Sequence, residues 1–353
     1  MLAIDAHLDL SWNALNWNRD LTLTVAEIRA LEHDMKEKNR AGNTVAFPEM
    51  RKADVAVCLA TLLARASGLG EALLDYRNQE IACAMAQGQL AYYRIMESKG
   101  ELQMVRDRSS LQMHLQKWKA NGSSTPLGFI LSMEGADPIL SPHHVLEWWN
   151  DGLRVVGLAH YGRSAYAHGT GSAGGLTAGG RELLNAMAEV GMILDATHLA
   201  DESFWEAVNL FEGPVLASHN NCRALVPGDR QFSDDQLRCL IEREAVIGAA
   251  FDAWMLYPGW VPGKTPTSVV SLEAVVDHID HICQLAGNAR HAAIGSDLDG
   301  GYGTEQCPEN LDTIIDLQKI PFLLQRRGYS EADIAAVMHA NWARFFEEAW
   351  TNI

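Results

Sequence analysis

The sequence lacks the features that mark nucleic-acid-binding, membrane and secreted proteins. It has no run of five or more lysines and arginines, and its 45 acidic residues outnumber 28 basic ones, for a formal net charge of −17. Nucleic acids and anionic membrane surfaces are bound through cationic patches, so we expect neither as a partner. No apolar run approaches the roughly 18–20 residues that cross a bilayer. No basic stretch precedes an apolar one near residue 1, so we expect no signal peptide.

The cysteines show no metal-binding or redox spacing. None of the six forms a C-x-x-C pair; they are Cys58, Cys83, Cys222, Cys239, Cys283 and Cys307. In a chain of 353 residues this pattern is typical of buried or free thiols. We therefore expect a reducing compartment, and the cytoplasm as the location.

Short apolar runs alternate with longer helical stretches along the whole chain. Eight runs are candidate core strands: 3–7, 54–62, 127–133, 153–159, 192–196, 214–218, 246–251 and 292–296. Most are continuously apolar, as strands buried on both faces are. The alternation predicts a parallel sheet covered by helices, and eight strands predict a closed (β/α)8 TIM barrel. The other candidate is an open doubly wound sheet, which the absence of G-x-G-x-x-G after the first strand disfavours.

The predicted barrel accounts for the whole chain as one catalytic domain, residues 1–353. Its strands fall within about 3–297, and helices within about 308–350 follow them. Predicted helices cover 70–99, 178–190, 233–244, 267–285, 310–327, 330–339 and 342–350. Residues 10–51 are the least regular stretch and are expected to loop over one end of the barrel, with a helix near 25–38. His278 and His281 are three residues apart on a predicted helix, and we expect them on a solvated face.

Histidines and carboxylates follow six of the eight predicted strands. They are His7 with Asp9, Glu134, His160, Asp195 with His198, His219, and Asp297 with Asp299. The carboxyl ends of barrel strands converge on one face, where active sites form. Imidazole and carboxylate are the ligands of zinc and similar divalent ions. The strand ends therefore predict a metal site.

The spacing indicates how two ions could be held. His7 and Asp9 are two residues apart on a strand, so both side chains leave the same face and could bind one metal. His198 and His219 come from adjacent strands and could bind a second. Glu134 has two oxygens and could bridge both ions.

Ordered motifs from about Ile4 to Phe346 resemble the membrane (renal) dipeptidase family, metallopeptidases of the amidohydrolase superfamily. The motifs are Asp5-Ala6-His7-Leu8-Asp9-Leu10, Ser132-Met133-Glu134-Gly135-Ala136, Gly175-Leu176-Thr177, Gly180-Arg181-Glu182-Leu183, Asp195-Ala196-Thr197-His198, Ser218-His219-Asn220, Arg223-Ala224-Leu225, Arg230 before Ser233-Asp234-Asp235-Gln236-Leu237, and Gly295-Ser296-Asp297-Leu298-Asp299-Gly300.

The resemblance implies a role for each matching residue. His7 and Asp9 would hold one zinc ion and His198 and His219 the other, with Glu134 bridging. His160 matches a histidine that contacts the substrate carbonyl, and Arg230 an arginine that binds the substrate carboxylate. Asp297 matches the acidic residue that ends the last strand and acts in proton transfer. Many relatives bridge their metals with a carboxylated lysine, but no lysine stands at a predicted strand end here.

The resemblance implies a zinc-dependent dipeptidase that hydrolyses small dipeptides with a bridging hydroxide, including dipeptides with a D-residue on the C-terminal side. The stretches 160–166 and 251–254 depart from the animal enzyme and should border the pocket. Three alternatives are an N-acyl-amino-acid deacylase or other amidohydrolase on a small carboxylate-bearing amide, a mononuclear deaminase of the superfamily, and a non-catalytic metal-binding or partner-binding relative. Manganese or cobalt would also suit the ligands. A homodimer is the oligomeric state that the family suggests.

Overall fold

The apolar runs form short parallel strands in a computed structural model, which describes residues 1–70 and 74–351. The strands are β1 Ala3–Leu8, β2 Val55–Leu63, β3 Leu102–Met104, β4 Leu127–Glu134, β5 Leu153–Gly157, β6 Ile193–Asp195, β7 Val215–Leu216, β8 Ile247–Ala249 and β9 Ala292–Ile294. All of them except β3 are buried at every position. Burial on both faces explains why these runs are apolar without alternation.

The strands close into a barrel. One sheet has the parallel order β1-β2-β4-β5-β6-β7, and β8 pairs with β9 in parallel. A bridge between Ala217 and Ile247 joins β7 to β8. On the other side, Ser296 donates its backbone N–H to Asp5 Oδ1 at 2.8 Å, which connects the end of β9 to β1. Strand β3 lies outside this circuit and pairs with the first half of β4.

Helices cover the barrel. They are α1 Leu10–Asn16, α2 Val25–Leu31, α3 Phe47–Lys52, α4 Gln79–Ser98, α5 Arg108–Asn121, α6 Val145–Asp151, α7 Ala178–Val190, α8 Asp201–Leu210, α9 Asp234–Glu242, α10 Ala253–Leu256, α11 Leu272–Ala286, α12 Ile320–Arg326, α13 Glu331–Ala335 and α14 Asn341–Ala349. A π-helical stretch, Ala336–Ala340, joins α13 to α14. Local chemistry sets several ends: Ser233 caps α9 in a capping box, and Gly191 ends α7 in the left-handed conformation.

The eight predicted strands and the barrel they imply are confirmed, with ends that differ by at most two residues. Strand β3 was missed because three residues carry too little periodicity. The predicted helix 70–99 begins only at Gln79, and residues 71–73 of that prediction lie outside the described part. The predicted helix 25–38 ends at Leu31, and only Ile320–Arg326 of the predicted helix 310–327 is α-helical, after a 3-10 turn at Ile314–Lys319.

Residues 10–51 do pass over the carboxyl end of the barrel, and they contain three short helices. Thr44 and Val45 donate their backbone N–H groups to the two oxygens of Asp299, just beyond β9, at 2.7 and 3.0 Å. In the described part of the chain, no helix has both the length and the apolar character needed to cross a bilayer.

His278 corrects the expectation of a solvated helix face. Its side chain is buried, and its Nδ1 accepts the backbone N–H of Cys222 at 3.0 Å. His281 is half-buried and pairs with Asp234 at 2.8 Å. His278 lies on the packed face of α11 with Val275, Ile279 and Ile282, so its position in the helix and not its polar type decides its burial.

Candidate metal centre

Glu134, at the end of β4, lies between two groups of candidate ligands. Its Oε1 is 3.2 Å from the Nε2 atoms of both His198 and His219. Its Oε2 is 3.6 Å from Nε2 of His7. Each oxygen of the Glu134 carboxylate thus faces a different group of candidate ligands, which is the arrangement that a bridging ligand requires.

The group around His7 contains two further carboxylates. Nε2 of His7 is 3.8 Å from Asp9 Oδ2 and 3.9 Å from Asp297 Oδ1. Three clusters in the described residues have ligand atoms within 4.8 Å of one another: His7–Glu134–His219, Glu134–His160–His198 and His7–Asp9–Asp297. The structure therefore brings together side chains separated by 290 positions in the sequence.

Hydroxyl groups hold the far side of each candidate ligand histidine. The contacts to Nδ1 are Thr61–His7 at 3.5 Å, Thr170–His198 at 3.1 Å and Ser218–His219 at 2.9 Å. Ser218 donates its proton to Asp195, at 2.5 Å, so its oxygen accepts from Nδ1–H of His219. Thr170 Oγ1 lies 3.1 Å from Nδ1 and 3.3 Å from the carbonyl of His198, and donation to the carbonyl leaves its oxygen to accept Nδ1–H. Both histidines then keep the lone pair of Nε2 for a cation.

The acidic residue Asp195 therefore acts in support of the site rather than at its centre. Its Oδ1 accepts the backbone N–H groups of Thr197 and Ser218 at 3.0 and 3.1 Å, which joins the ends of β6 and β7. Asp5 does the same for β1 and β9, since it accepts both the backbone N–H and the hydroxyl of Ser296. Carboxylates thus fix the relative positions of the strands that carry the ligands.

The backbone leaves regular strand geometry where it presents the site residues. His198 and Asp297 have φ values of 67° and 58°, and Asp299 has 63°, in the left-handed region that non-glycine residues seldom adopt. Such conformations occur where the surrounding structure holds them, often at functional sites. A Cβ atom at Gly300 would overlap with Oδ1 of Asp297, so glycine is required there.

Burial dominates the electrostatics of the cluster. It raises the pKa of Asp297 well above its usual range and lowers the pKa values of His198 and His219 well below theirs. Burial by itself would raise the pKa of Glu134, but the imidazoles of His160 and His7 hold it well below its usual value. Burial would likewise lower the pKa of His7, but Glu134 and Asp9 raise it.

The residues present fit a divalent metal. Nε2 of His7 and Oδ1 of Asp9 are buried and have no hydrogen-bond partner. Buried polar atoms of this kind are costly to leave unpaired, and a cation would satisfy both. Histidine nitrogens and carboxylate oxygens are the donor set of zinc, with manganese and cobalt also possible.

A cavity of about 400 Å³ opens beside the cluster. Of the eight predicted site residues, all but His7 line it; His7 lies behind Glu134 and Asp9. Arg230 is buried in the wall, where its guanidinium donates to Asn220 Oδ1 at 3.0 Å and to the His219 carbonyl at 2.8 Å. Its position beside the ligands suits the binding of an anionic group.

Other cavity residues were missed from the sequence, among them Arg65, Tyr302 and Gln306. The carboxylate of Asp252 accepts from Gln306 Nε2 at 2.8 and 2.9 Å, and burial raises the pKa of Asp252 to about 7. Asp252 and Trp254 do border the pocket, as expected for the stretch 251–254, and so do His160 and Tyr161 of 160–166. Arg65 follows the end of β2 by two residues, but an arginine is not a metal ligand and so carries no signal of a metal site in the sequence.

The chain is therefore a barrel protein with a candidate metal site, which its cluster of buried histidines and carboxylates forms. The chain matches the model of the membrane dipeptidase family, peptidase family M19, over residues 1–352, and it belongs to that family. The resemblance noted from the motifs is thereby confirmed.

Relatives in the curated proteins agree with the assignment to this family. The chain is 30% identical over 177 residues to an uncharacterised protein encoded in the pqqA 5′ region of Klebsiella pneumoniae, covering 50% of this chain and 62% of that protein. It is 31% identical over 224 residues to dipeptidase aclJ of Aspergillus oryzae, covering 61% and 50%. The matches thus span about half to three-fifths of the length of these relatives.

Solved structures share the fold over nearly the whole chain. Dipeptidase AC, a metallopeptidase of family M19, superposes with a TM-score of 0.79 at 23% identity, covering 99% of each chain. A metallopeptidase from Rhodobacter sphaeroides, liganded with a phosphinate mimic of the dipeptide L-Ala-D-Ala, gives 0.79 at 22% identity, again over 99% of each chain. At these identities the likeness establishes the barrel fold.

Proposed function

We propose that this chain is a two-zinc dipeptidase that hydrolyses the peptide bond of small dipeptides. One observation carries the proposal: Glu134 stands between His7 on one side and His198 and His219 on the other, next to a cavity that contains Arg230. Membership of the membrane dipeptidase family gives the reaction class. The dipeptide mimic bound by the Rhodobacter sphaeroides relative suggests a C-terminal D-residue as one acceptable substrate.

The proposed ligand sets are those that the family motifs imply, and the distances are compatible with them. His7 and Asp9 would hold one zinc ion and His198 and His219 the other, with Glu134 between the two pairs. When bound, zinc lowers the pKa of a water molecule toward neutrality, which makes hydroxide available, and polarises the carbonyl that is attacked.

Asp297 is the residue that we assign to proton transfer. Its carboxylate is within 3.9 Å of His7, and burial raises its pKa, which favours holding a proton. It would take the proton of the attacking water and give it to the leaving amine. General acid–base catalysis by one side chain contributes about 10²–10⁴ in rate.

His160 and Arg230 would position the substrate. Nε2 of His160 is 3.8 Å from Glu134 Oε1, where it can donate to the carbonyl oxygen as negative charge develops. A guanidinium has five N–H donors, and Arg230 uses two of its nitrogens on Asn220 and His219. The remaining donors can bind the C-terminal carboxylate of a dipeptide. A longer peptide has no carboxylate at that position, which would restrict the enzyme to dipeptides.

The test is a hydrolysis panel with metal analysis on the same sample. The panel contains L,L-dipeptides, L,D-dipeptides, tripeptides and N-acetyl amino acids. We expect turnover of dipeptides, little turnover of tripeptides, and two zinc ions per chain. Faster turnover of N-acetyl amino acids would replace the proposal with a deacylase. One metal per chain would favour the mononuclear deaminase, and no turnover with full metal a non-catalytic role.

We also propose that residues 1–353 form one catalytic domain. Limited proteolysis should then leave a single protease-resistant fragment. Six free thiols are consistent with a cytoplasmic location. A homodimer would sediment at twice the chain mass of 38.8 kDa.

A further inference from the structure

The guanidinium of Arg65 contacts His160 from behind. Arg65 Nη1 lies 2.9 Å from Nδ1 of His160, and the Arg65 side chain is almost fully buried. Guanidinium nitrogens donate hydrogen bonds and do not accept them. Nδ1 of His160 must therefore be the acceptor and carry no proton. In a neutral imidazole the proton then sits on Nε2, the nitrogen that faces Glu134 and the cavity.

The candidate ligand histidines have the opposite arrangement. In His219, Nδ1–H donates to the Ser218 hydroxyl and Nε2 is left with its lone pair, and we expect the same of His198 with Thr170. A nitrogen that carries a proton cannot bind a metal, so His160 is excluded as a ligand even though Glu134–His160–His198 form one of the clusters with suitable distances. The contact with Arg65 thus makes His160 a hydrogen-bond donor, whereas the neighbouring His198 and His219 are candidate metal ligands.

The loop that carries Arg65 is held on several sides. The Arg65 backbone N–H donates to the Leu74 carbonyl at 3.2 Å, and Tyr76 donates to the Arg65 carbonyl at 2.7 Å. Asp137, after β4, accepts the backbone N–H of Ala66 at 2.9 Å. The guanidinium also lies over the ring of Tyr161, 5.9 Å from its centroid. These contacts leave the Arg65 side chain little freedom to move away from His160.

We propose that Arg65 is a positioning residue that fixes the Nε2–H tautomer of His160 and thereby aims a hydrogen-bond donor at the substrate carbonyl oxygen. The proposal rests on the proposed dipeptidase function for its catalytic consequence. The tautomer assignment itself follows from the Arg65–His160 contact and does not require activity.

The test combines histidine NMR with kinetics on three variants. Arg65→Met removes the donors, Arg65→Lys keeps a charged donor, and Arg77→Met is a control at an exposed arginine of the same loop. Ring nitrogens are observed in protein with 15N-labelled histidine, before and after zinc loading. A His160→Gln sample identifies the His160 signals by their loss.

In the wild-type protein we expect His160 to be protonated on Nε2, and His198 and His219 on Nδ1. Arg65→Met should give a mixture of His160 tautomers and lower kcat on a hydrolysed dipeptide about 10–100-fold, with KM and zinc content within about twofold. Arg65→Lys should restore part of kcat, and Arg77→Met should change nothing.

Three results would overturn the proposal. The first is an Nδ1-protonated His160 in the wild type, and the second is an unchanged His160 tautomer in Arg65→Met. The third is a fall in kcat with equally large changes in KM and zinc content, which would indicate general disruption. If Arg65→Met does not fold, the wild-type spectrum and Arg65→Lys still decide the assignment. If no dipeptide is hydrolysed, the proposed function fails while the tautomer result stands by itself.

Discussion

Replacing Arg230 by methionine should destroy the preference for a free C-terminal carboxylate. Arg230 is buried, and its contacts with Asn220 and His219 hold it in one orientation. A carboxylate that accepts two hydrogen bonds from the remaining donors would lose both in Arg230→Met. Hydrogen bonds to charged groups contribute about 1.5–3 kcal/mol each, so we expect a loss of about 3 kcal/mol, or roughly 150-fold in KM.

The assay compares each dipeptide with its C-terminal amide. In the wild type the amide should have a KM roughly two orders of magnitude higher, for the same reason. In Arg230→Met the free acid and the amide should become nearly equal, because the group that distinguishes them is gone. Measuring both substrates with both proteins gives a thermodynamic cycle, which separates the carboxylate contact from any general effect of the substitution.

Two controls accompany this experiment. Arg238→Met removes an arginine whose side chain is half exposed and pairs with Asp235 at 3.1 Å, and it should leave KM unchanged. Zinc content must be measured, because Arg230 donates to the carbonyl of His219, a candidate ligand. A wild-type enzyme that hydrolyses amides as well as acids, or a variant that keeps the discrimination with full zinc, would refute the role of Arg230.

Three further predictions follow from other buried groups. Asp297→Asn should lower kcat about 10²–10⁴-fold with zinc retained, because the proton carrier is lost; near-normal turnover with full zinc would show that this role is wrong. Burial raises the pKa of Asp252 to about 7, so the group is neutral below that pH and negative above it. The negative charge of Asp252 then competes with the substrate carboxylate for Arg230, so KM should rise roughly fivefold, about 1 kcal/mol, as pH increases through 7. Asp252→Asn should not show this rise. Parallel KM–pH profiles in the wild type and Asp252→Asn would argue against it. Burial lowers the pKa of His278 to about 3, below the unfolded value of about 6.5, so stability should fall by up to about 1.4 kcal/mol per pH unit as pH decreases below 6.5. His278→Gln, which can still accept from Cys222, should flatten the dependence of Tm on pH by calorimetry, and an unchanged slope would contradict the assignment.

The strands and their ends could be predicted because burial on both faces imposes a simple pattern. The run 127–133 is apolar except for Ser132 and stops at Glu134, which lines the cavity. The convergence of the ligands then follows from the barrel, since parallel strands end on one face. All eight predicted site residues accordingly lie at one end of the structure, seven of them in the cavity wall.

Residues that act through other residues could not be predicted in this way. Arg65 has no ligand chemistry, and its position behind His160 depends on the path of the loop after β2. Asp195 has the right type and place for a ligand, but it holds Ser218 instead. His278 is polar by type and buried by position. In each of these residues the hydrogen-bond partner decides the role, and that partner is distant in sequence.

The most direct test of the account is anomalous diffraction at the zinc edge from crystals of the zinc-loaded protein. We predict two peaks per chain, one beside His7 and Asp9 and the other beside His198 and His219, with Glu134 between them. A single peak, or peaks away from Glu134, would contradict it.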